Sequence, residues 1–329
     1  MSLVSTELEA SVSTEVGPQP SVAMSPGQLA RRRFFSDKKT VIAAGVVSLY
    51  FLLALLGPVL VKTHVLDPWT QHLDLMNDLS LPSGHFGGVS WSHPFGIEPG
   101  IGRDVLSRAW YGITFSVFIA LAASLMSLVI GVVLGIIAGA TGGWVDAVIG
   151  RFIDLMLSFP QQLMLISLSS IFVFFIENSM GVSSDLWAHS IYVVAVMSLF
   201  GWMSTARIVR GQVLSLRERE FIQAAQLFGA SRPRIWFKEI LPNLWAPILV
   251  TFTLMLPAYI STEAALAYLG VSVAPPTPTL GNILSDSTDY ATADPTYFIL
   301  PALLIIIIVV AFNLLGDGLR DALDPKGHR

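Results

Sequence analysis

The chain has 329 residues, of which 53% are hydrophobic and only 13% are charged, and its formal net charge is −4. Soluble globular domains carry about 25% charged residues, so this composition excludes an ordinary soluble fold and is typical of a membrane protein. There are no cysteines, which excludes disulfides, zinc–thiolate sites and cysteine nucleophiles.

The N-terminal segment differs in composition from the rest of the chain. Residues 1–28 are rich in Ser, Val, Glu and Pro and show no apolar period, which is typical of a disordered tail. Basic residues follow at positions 31, 32, 33, 38 and 39. The apolar run 41–61 is too long for the core of a signal peptide, so we predict a retained first transmembrane helix.

Six apolar segments are long enough to cross a bilayer as helices, which takes about 20 residues. They are residues 41–61, 114–140, 151–176, 188–210, 241–269 and 298–318. In the third segment Arg151 and Asp154 are three residues apart, so we expect them to pair on one helix face near the membrane surface. The sequence therefore predicts an all-α membrane protein with six transmembrane helices.

The distribution of Lys and Arg predicts the orientation, because these residues are enriched on the cytoplasmic side of membrane proteins. If the N-terminus is cytoplasmic, all but three of the 19 Lys and Arg residues lie on that side; the exceptions are Lys62, Arg103 and Arg108. Both termini are thus predicted to be cytoplasmic. The predicted units are a cytoplasmic, largely disordered tail (1–38), a first helix with a long extracytoplasmic loop (39–113) and a transmembrane domain (114–329).

The one sizeable cytoplasmic connection, 211–240, contains a predicted amphipathic helix over 215–230. Ser215 and Glu218 have the spacing of a capping box that starts a helix, and Gly229 suits the left-handed position that ends one. Ser231 and Pro233 are typical of the start of the next helix. An apolar stripe lies between these signals, formed by Phe221, Ala224, Ala225 and Phe228. An interfacial helix resting on lipid headgroups would show the same pattern.

The same connection contains Gln223-Ala224-Ala225, then Gly229, then Ile240-Leu241-Pro242. This ordered set resembles the EAA loop of ABC importer membrane subunits, with Gln223 standing where the motif has Glu. In that family the short helix is the coupling helix, which docks in a groove of the ATPase. The resemblance implies the following coupling residues here: Glu220, Phe221, Gln223, Ala224, Ala225, Phe228, Gly229 and Pro242.

Further segments extend the resemblance from about residue 31 to residue 326. They are residues 93–96 (HPFG), 102–108 (GRDVLSR), 268–271 (YLGV), 275–278 (PPTP), 281–284 (GNIL) and 311–325 (AFNLLGDGLRDALDP). This ordered set is similar to the "C" type permease of the dipeptide and oligopeptide branch, which also includes importers of nickel and other small solutes.

That family implies a fold, a function and a set of partners. The fold is a type I ABC importer permease core, and the function is to form half of the translocation pathway for di- or oligopeptides. The partners are a homologous "B" type permease, two cytoplasmic ATPase subunits, an extracytoplasmic substrate-binding protein, the peptide and the bilayer, with no nucleic acid. The location is the bacterial plasma (inner) membrane, which a multi-pass protein spans.

No motif for catalysis or nucleotide binding appears in the chain. A Gly-x-x-x-x-Gly-Lys-Ser/Thr loop is missing, as are His-Glu-x-x-His and Gly-x-Ser-x-Gly. We therefore expect no catalytic residue and no directly bound cofactor or metal, with ATP used by partner subunits. The histidines and carboxylates of the long loop match no ligand spacing. An ion-coupled secondary transporter is the alternative, but it predicts inverted repeats or several midplane carboxylates, and neither is found.

A few residues inside the predicted spans are candidates for gating or packing. Gly131, Gly135 and Gly139 repeat every four residues, which lets membrane helices approach closely, and we favour static packing there. Pro257 lies inside the fifth span, where a missing donor can bend a helix. Glu263 is ionisable, but its position late in that span predicts a solvated or backbone-capping role near the outer surface.

Overall fold

The computed structural model describes residues 25–179 and 185–324. Within these ranges the regular structure is helical, and extended pairing is limited to isolated bridges in the long loop. The predicted disordered tail lies outside the described residues up to position 24.

Six helices are long and apolar enough to cross a membrane, as predicted. They are Lys38–Lys62, Val105–Thr141, Gln161–Ser179, Trp187–Leu216, Arg232–Tyr268 and Pro295–Leu323. The α-helices in chain order are α1 (Pro26–Ser36), α2 (Lys38–Lys62), α3 (Val105–Thr141), α4 (Gly143–Leu157), α5 (Gln161–Ser179), α6 (Asp185–Leu216), α7 (Glu220–Leu227), α8 (Arg232–Arg234), α9 (Trp245–Tyr268), α10 (Leu280–Ser287) and α11 (Pro295–Leu323).

Part of the predicted disordered tail of residues 1–38 is helical, because Pro26–Ser36 forms α1. Ser25 and Gln28 exchange the two hydrogen bonds of a capping box at its start. Asp37 has an extended backbone between α1 and α2, and its carboxylate accepts hydrogen bonds from the first amides of α2. The two helices are therefore separate segments with a break at Asp37.

The third predicted span is wrong in its first half. Residues 151–176 are not one helix, because α4 ends at Leu157 and α5 begins at Gln161. Pro160 lies in the gap, where it has no amide to donate and disfavours a helical conformation at the residue before it. The pairing expected for α4 is wrong as well, since Asp154 accepts a hydrogen bond from Arg207 of α6 at 2.7 Å, and not from Arg151.

The fifth span is continuous but irregular at its start. It runs from α8 through a π-helical segment (Ile235–Ile240) and a 3-10 turn (Leu241–Leu244) into α9. Pro242 lies in the first turn of the 3-10 segment, where its missing amide costs least. This irregular stretch joins α7 to the long apolar part of the span.

The centre of the bundle is formed by α3 and α6, which share its most extensive helix–helix contact, with α2, α9 and α11 packed around them. The end of the bundle that carries α7 is called the α7 end below. At the opposite end lie the long loop between α2 and α3, which contains a 3-10 turn (Leu73–Leu75), and α10, which is followed by a second turn (Thr288–Tyr290).

Candidate functional site

The candidate site is α7 and the residues that hold it, and α7 is shorter than predicted. Ser215 still belongs to α6, which continues to Leu216, and α7 begins only at Glu220. Arg219 occupies the N-cap position with extended backbone and no side-chain bond. The predicted capping box at Ser215 and Glu218 is therefore wrong, because the backbone hydrogen bonds of α6 continue through Ser215.

The predicted end of α7 at Gly229 is confirmed. Gly229 has φ +77°, its amide donates to the Gln226 carbonyl at 2.9 Å, and the Ala230 amide donates to the Ala225 carbonyl at 3.0 Å. These two bonds form a Schellman motif, which requires a left-handed residue that glycine adopts without strain. Ser231 is the N-cap of α8 as predicted. The end of α7 and the direction of the chain after it are therefore defined by these backbone hydrogen bonds.

The side chains of α7 divide into an inner and an outer set. Ile222 is fully buried and packs in a small apolar cluster with Val213 and Ile240. The outward side chains include Leu227, which is 88% exposed, and Phe228, which is 91% exposed. Ile222 is therefore the buried residue that anchors α7 to the bundle, while the apolar side chains of Leu227 and Phe228 are exposed to the surroundings.

The other predicted coupling residues differ in exposure. Phe221 is 43% exposed, Ala224 and Ala225 are half-buried, and Pro242 is exposed. The sequence stripe identified Phe221 and Phe228. It missed Ile222 as the anchor and Leu227 as an exposed residue, because neither residue belongs to the helical spacing that defined the stripe.

The polar residues of α7 are solvent-facing. Glu220 and Gln223 are both exposed, and the Gln223 side-chain amide donates to the Glu218 carbonyl at 3.3 Å. Glu220 lies in the first turn of α7, where a negative charge is favourable next to the free amides of a helix start. Gln223 thus uses its donor within the loop, a contact that Glu at that position would lack.

Two ion pairs connect α4 to the part of α6 that leads into α7. The Arg210 guanidinium contacts both carboxylate oxygens of Asp146, with Nη2 and Oδ2 2.7 Å apart, and Arg207 binds Asp154 at 2.7 Å. The Arg210 hydrogen bond lowers the pKa of the Asp146 carboxyl. These α4–α6 ion pairs line a small cavity of about 210 Å³ at the α7 end.

Three glycines of α3 allow α6 to approach closely. A Cβ atom at Gly131 would lie 2.6 Å from Thr205, one at Gly135 would lie 2.8 Å from the Ala206 carbonyl, and one at Gly139 would lie 2.8 Å from Val213. These distances are shorter than van der Waals contact, so only glycine fits. The geometry supports the packing interpretation of the predicted glycine row.

Comparison with known families now gives the family of the chain. The family model described as binding-protein-dependent transport system inner membrane component matches residues 131–328, and the N-terminal TM domain of oligopeptide transport permease C matches residues 25–82. The chain belongs to the binding-protein-dependent permease family. The predicted resemblance to the peptide-branch permeases is confirmed.

Curated relatives cover most of this permease. The oligopeptide transport system permease protein OppC of Bacillus subtilis is 36% identical over 90% of this chain and 88% of its own length. The dipeptide transport system permease protein DppC of Alkalihalophilus pseudofirmus is 35% identical over 92% and 91%. OppC of Escherichia coli K12 is 34% identical over 91% of each chain.

Among solved structures, an inward-facing conformation of the MetNI methionine ABC transporter has the same fold. Its TM-score is 0.51 at 19% identity, and the match covers 67% of the permease and 96% of that chain. This likeness shows the fold alone, which is the predicted ABC importer permease core.

Glu263 of the permease is not solvated, so the solvated alternative of its prediction is wrong, whereas its contact with the backbone amide of Gly281 in the first turn of α10 agrees with the backbone-capping alternative. Its side chain is fully buried, and it accepts hydrogen bonds from the hydroxyls of Ser116 at 3.1 Å and Ser272 at 2.7 Å. Ser116 also accepts the amide of Leu280 at 3.0 Å. Glu263 therefore connects α9 to α3 and to the segment that leads into α10. Pro257 is buried six residues earlier in the continuous α9.

A buried charge cluster at the end opposite α7 was not predicted. Glu98 of the long loop binds Arg103 through two hydrogen bonds of 2.6 and 2.9 Å, approaches Arg108 at 3.3 Å, and accepts a hydrogen bond from the Tyr297 hydroxyl at 3.0 Å. Beside it, His93 lies 2.9 Å from Asp104. The cluster fixes the long loop onto α3 and α11.

Metal-ligating residues do not converge in the described part of the permease. No group of three or more His, Cys, Asp or Glu side chains there is arranged to hold an ion. The ring centroids of His72 and His93 are 4.5 Å apart with the rings tilted by 58°, but His93 is engaged by Asp104. Of the long-loop histidines and carboxylates, His93, Asp104 and Asp67 contribute to loop structure through hydrogen bonds.

Proposed function

We propose that this chain is the "C" type permease subunit of an ATP-driven importer, which forms half of the translocation pathway for di- or oligopeptides. A homologous "B" type permease supplies the other half, and two separate cytoplasmic ATPase subunits bind and hydrolyse ATP. The chain itself binds no cofactor. The observation that carries this proposal is the exposed apolar end of α7, on a helix that Ile222 anchors in the small apolar cluster with Val213 and Ile240.

The exposure of Leu227 and Phe228 supports α7 as the coupling helix. Apolar side chains that are almost fully exposed at a rigid position are typical of anchors for a protein partner. The alternative of a helix resting on lipid headgroups is not favoured, because Glu220, Gln223 and Gln226 share the exposed surface. A groove in an ATPase subunit would cover both kinds of side chain.

The position of α7 explains how its movement would reach the pathway. It lies between α6 and the irregular start of the fifth span, so a displacement of α7 acts on both helices at once. The Schellman end at Gly229 and the buried Ile222 prevent the helix from moving alone. Closure of the ATPase pair would therefore shift α6 and α9 relative to the partner permease.

The topology that this role requires agrees with the charge distribution. We propose that both termini and α7 are on the cytoplasmic side of the bacterial plasma membrane, and that the long loop faces outward, where an extracytoplasmic binding protein delivers the substrate. The Lys and Arg distribution supports this orientation.

The cargo is inferred from the relatives. Proteins 34–36% identical to this chain are named for oligopeptide and dipeptide transport, which supports peptides as the substrate. A related importer of nickel or another small solute would share the same architecture, so the cargo requires a separate test.

The coupling role can be tested by placing a charge on α7 in the assembled transporter. We expect Phe228→Asp and Ala224→Arg to abolish peptide uptake in membranes while the subunit still inserts. Phe228→Asp removes an aromatic anchor, and loss of such an anchor weakens binding to a protein partner by about 30-fold or more. Ala224→Arg places a bulky charge on the same short helix. Gln212→Asp is the matched control, since Gln212 is exposed on α6 outside α7. Wild-type uptake and ATPase retention by both α7 variants would overturn the coupling role.

The cargo can be identified from the binding protein that works with this subunit. We expect mass spectrometry of the purified binding protein to detect bound peptides, and the reconstituted transporter to accumulate a labelled tripeptide in an ATP-dependent manner. A metal chelate as the bound ligand, together with nickel uptake and no peptide uptake, would replace the peptide assignment.

A further inference from the structure

We propose that α1 is a membrane-surface helix whose outward face binds the phosphates of anionic lipid headgroups. This role is independent of transport chemistry. It concerns an element that the sequence had placed within a disordered tail, and it rests on three features: the position of α1, the division of its faces and the chemistry of the exposed face.

The position of α1 is fixed at the membrane boundary by two attachments. The break at Asp37 joins it directly to the first turn of α2, the first transmembrane helix. At the same level the Arg33 guanidinium donates to the Asp324 carbonyl after the end of α11 at 2.7 Å. Thr40 of α2 is buried against Gly318 of α11. Because α1 is held where two spans end, it lies at the level of the headgroups.

The two faces of α1 differ in exposure. Ala30, Arg33 and Phe34 are half-buried and face the bundle. The opposite face carries Arg31 and Arg32, both exposed, on either side of Phe35, which is 65% exposed. These side chains line one shallow groove together with Gln28 and Ser36.

The exposed face has the chemistry of an anionic membrane surface. Two guanidinium groups supply donors that match phosphate oxygens, and an aromatic ring between them can enter the boundary between headgroups and acyl chains. Lys38 and Lys39 are exposed at the start of α2, so they extend the positive surface along the same boundary. Basic clusters next to a membrane span are a known means of binding anionic lipids.

A second occupant with complementary charge is the acidic N-terminal segment of the chain itself. Residues 1–24 contain Glu7, Glu9 and Glu15 and no Lys or Arg. Lipid is the better match, because the attachments of α1 to the first turn of α2 and to the end of α11 place its exposed arginines and Phe35 at the membrane boundary. The test below distinguishes the two occupants.

The experiment compares hydrogen exchange of residues 26–36 in the full transporter, reconstituted in nanodiscs of phosphatidylcholine with or without phosphatidylglycerol. Two arginines near an anionic membrane surface strengthen the binding of a helix to that surface by about 30-fold. We therefore expect the anionic lipid to slow exchange in α1 in a salt-sensitive way, and native mass spectrometry to detect retained phosphatidylglycerol.

Variants identify the binding residues. Arg31→Gln/Arg32→Gln should remove the lipid-dependent protection, whereas Arg31→Lys/Arg32→Lys should retain most of it. Arg232→Gln/Arg234→Gln, which removes the same charge from exposed sites away from α1, is the matched control and should behave as wild type. Loss of protection in the control to the same extent would show a general charge effect and overturn the proposal.

Equal protection of α1 in both nanodisc compositions would also overturn it. If that equal protection disappears in a full-length Glu7→Gln/Glu9→Gln/Glu15→Gln variant, the acidic segment covers the face in place of lipid. Failure of either kind leaves the proposed transport function untouched, because peptide uptake is measured separately.

Discussion

The close contact between α3 and α6 gives the sharpest prediction, through the substitution Gly135→Val. The added Cβ would lie 2.8 Å from both the Ala206 carbonyl oxygen and the Val209 Cβ, and one of these atoms belongs to the backbone and cannot rotate away. Overpacking of this kind costs about 1–3 kcal/mol. If about 2–4 °C of melting temperature is lost per kcal/mol in a chain of this order of size, the variant should melt roughly 2–12 °C lower.

The matched control is Gly45→Val in α2. Gly45 is exposed, and a Cβ added there has no atom within 4 Å, so it changes the intrinsic helix preference equally without a clash. Both variants are assayed by thermal unfolding of the transporter purified in one detergent. Equal melting temperatures for the two variants would refute the argument that glycine is required by contact with α6.

The remaining predictions concern polar contacts. Asp146→Arg should reduce uptake, and Asp146→Arg/Arg210→Asp should restore part of it. Because the hydrogen bond from Arg210 lowers the pKa of Asp146, the stabilisation by this pair is present at neutral pH and is lost only as the pH falls through that lowered pKa. A series of melting temperatures measured at decreasing pH checks this loss. Glu263→Ala should lower stability by about 1–3 kcal/mol because two serine hydroxyls lose their acceptor, whereas Glu263→Gln should lose less in the same assay. Glu98→Ala should cost about 3–5 kcal/mol because buried arginines lose their counter-charge, and should increase proteolysis of the long loop; unchanged cleavage would contradict its anchoring role.

Apolar length and glycine position were sufficient to predict much of the fold. The six spans follow from the need for about 20 apolar residues, which is independent of tertiary contacts. Gly229 ends α7 because the residue after a helix often takes a left-handed backbone conformation, which glycine adopts without strain, so its position in the sequence predicts the helix end directly. The capping-box signal at Ser215 and Glu218 predicted the wrong helix start. A capping box reflects only hydrogen bonds between neighbouring residues, whereas α6 packs against the bundle and continues as a helix through Ser215.

The candidate site and its surroundings depend on contacts that sequence spacing does not show. Glu263 was placed by its distance along a helix, which ignores that the segment carrying Ser272 folds back over it. Glu98 and Tyr297 are 199 positions apart and meet only through the tertiary fold. The exposure of Leu227 was unpredictable for a related reason, since an exposed apolar residue has the same sequence pattern as a buried one.

The contacts of α3 indicate how a displacement at α7 would be divided within this subunit. Near the α7 end α3 meets α6 through glycines that admit no gap, so the two helices must move together. Towards the opposite end the hydroxyl of Ser116 in α3 binds Glu263 of α9, which adds the fifth span to the same unit. By contrast, α4 is held to α6 by partly exposed ion pairs, and the break at Pro160 separates it from α5. Partly exposed ion pairs exchange partners at little cost, so we expect α4 to shift against the α3–α6–α9 unit when the ATPase subunits close, while α5 stays with α6 through the buried Leu165 and Tyr192.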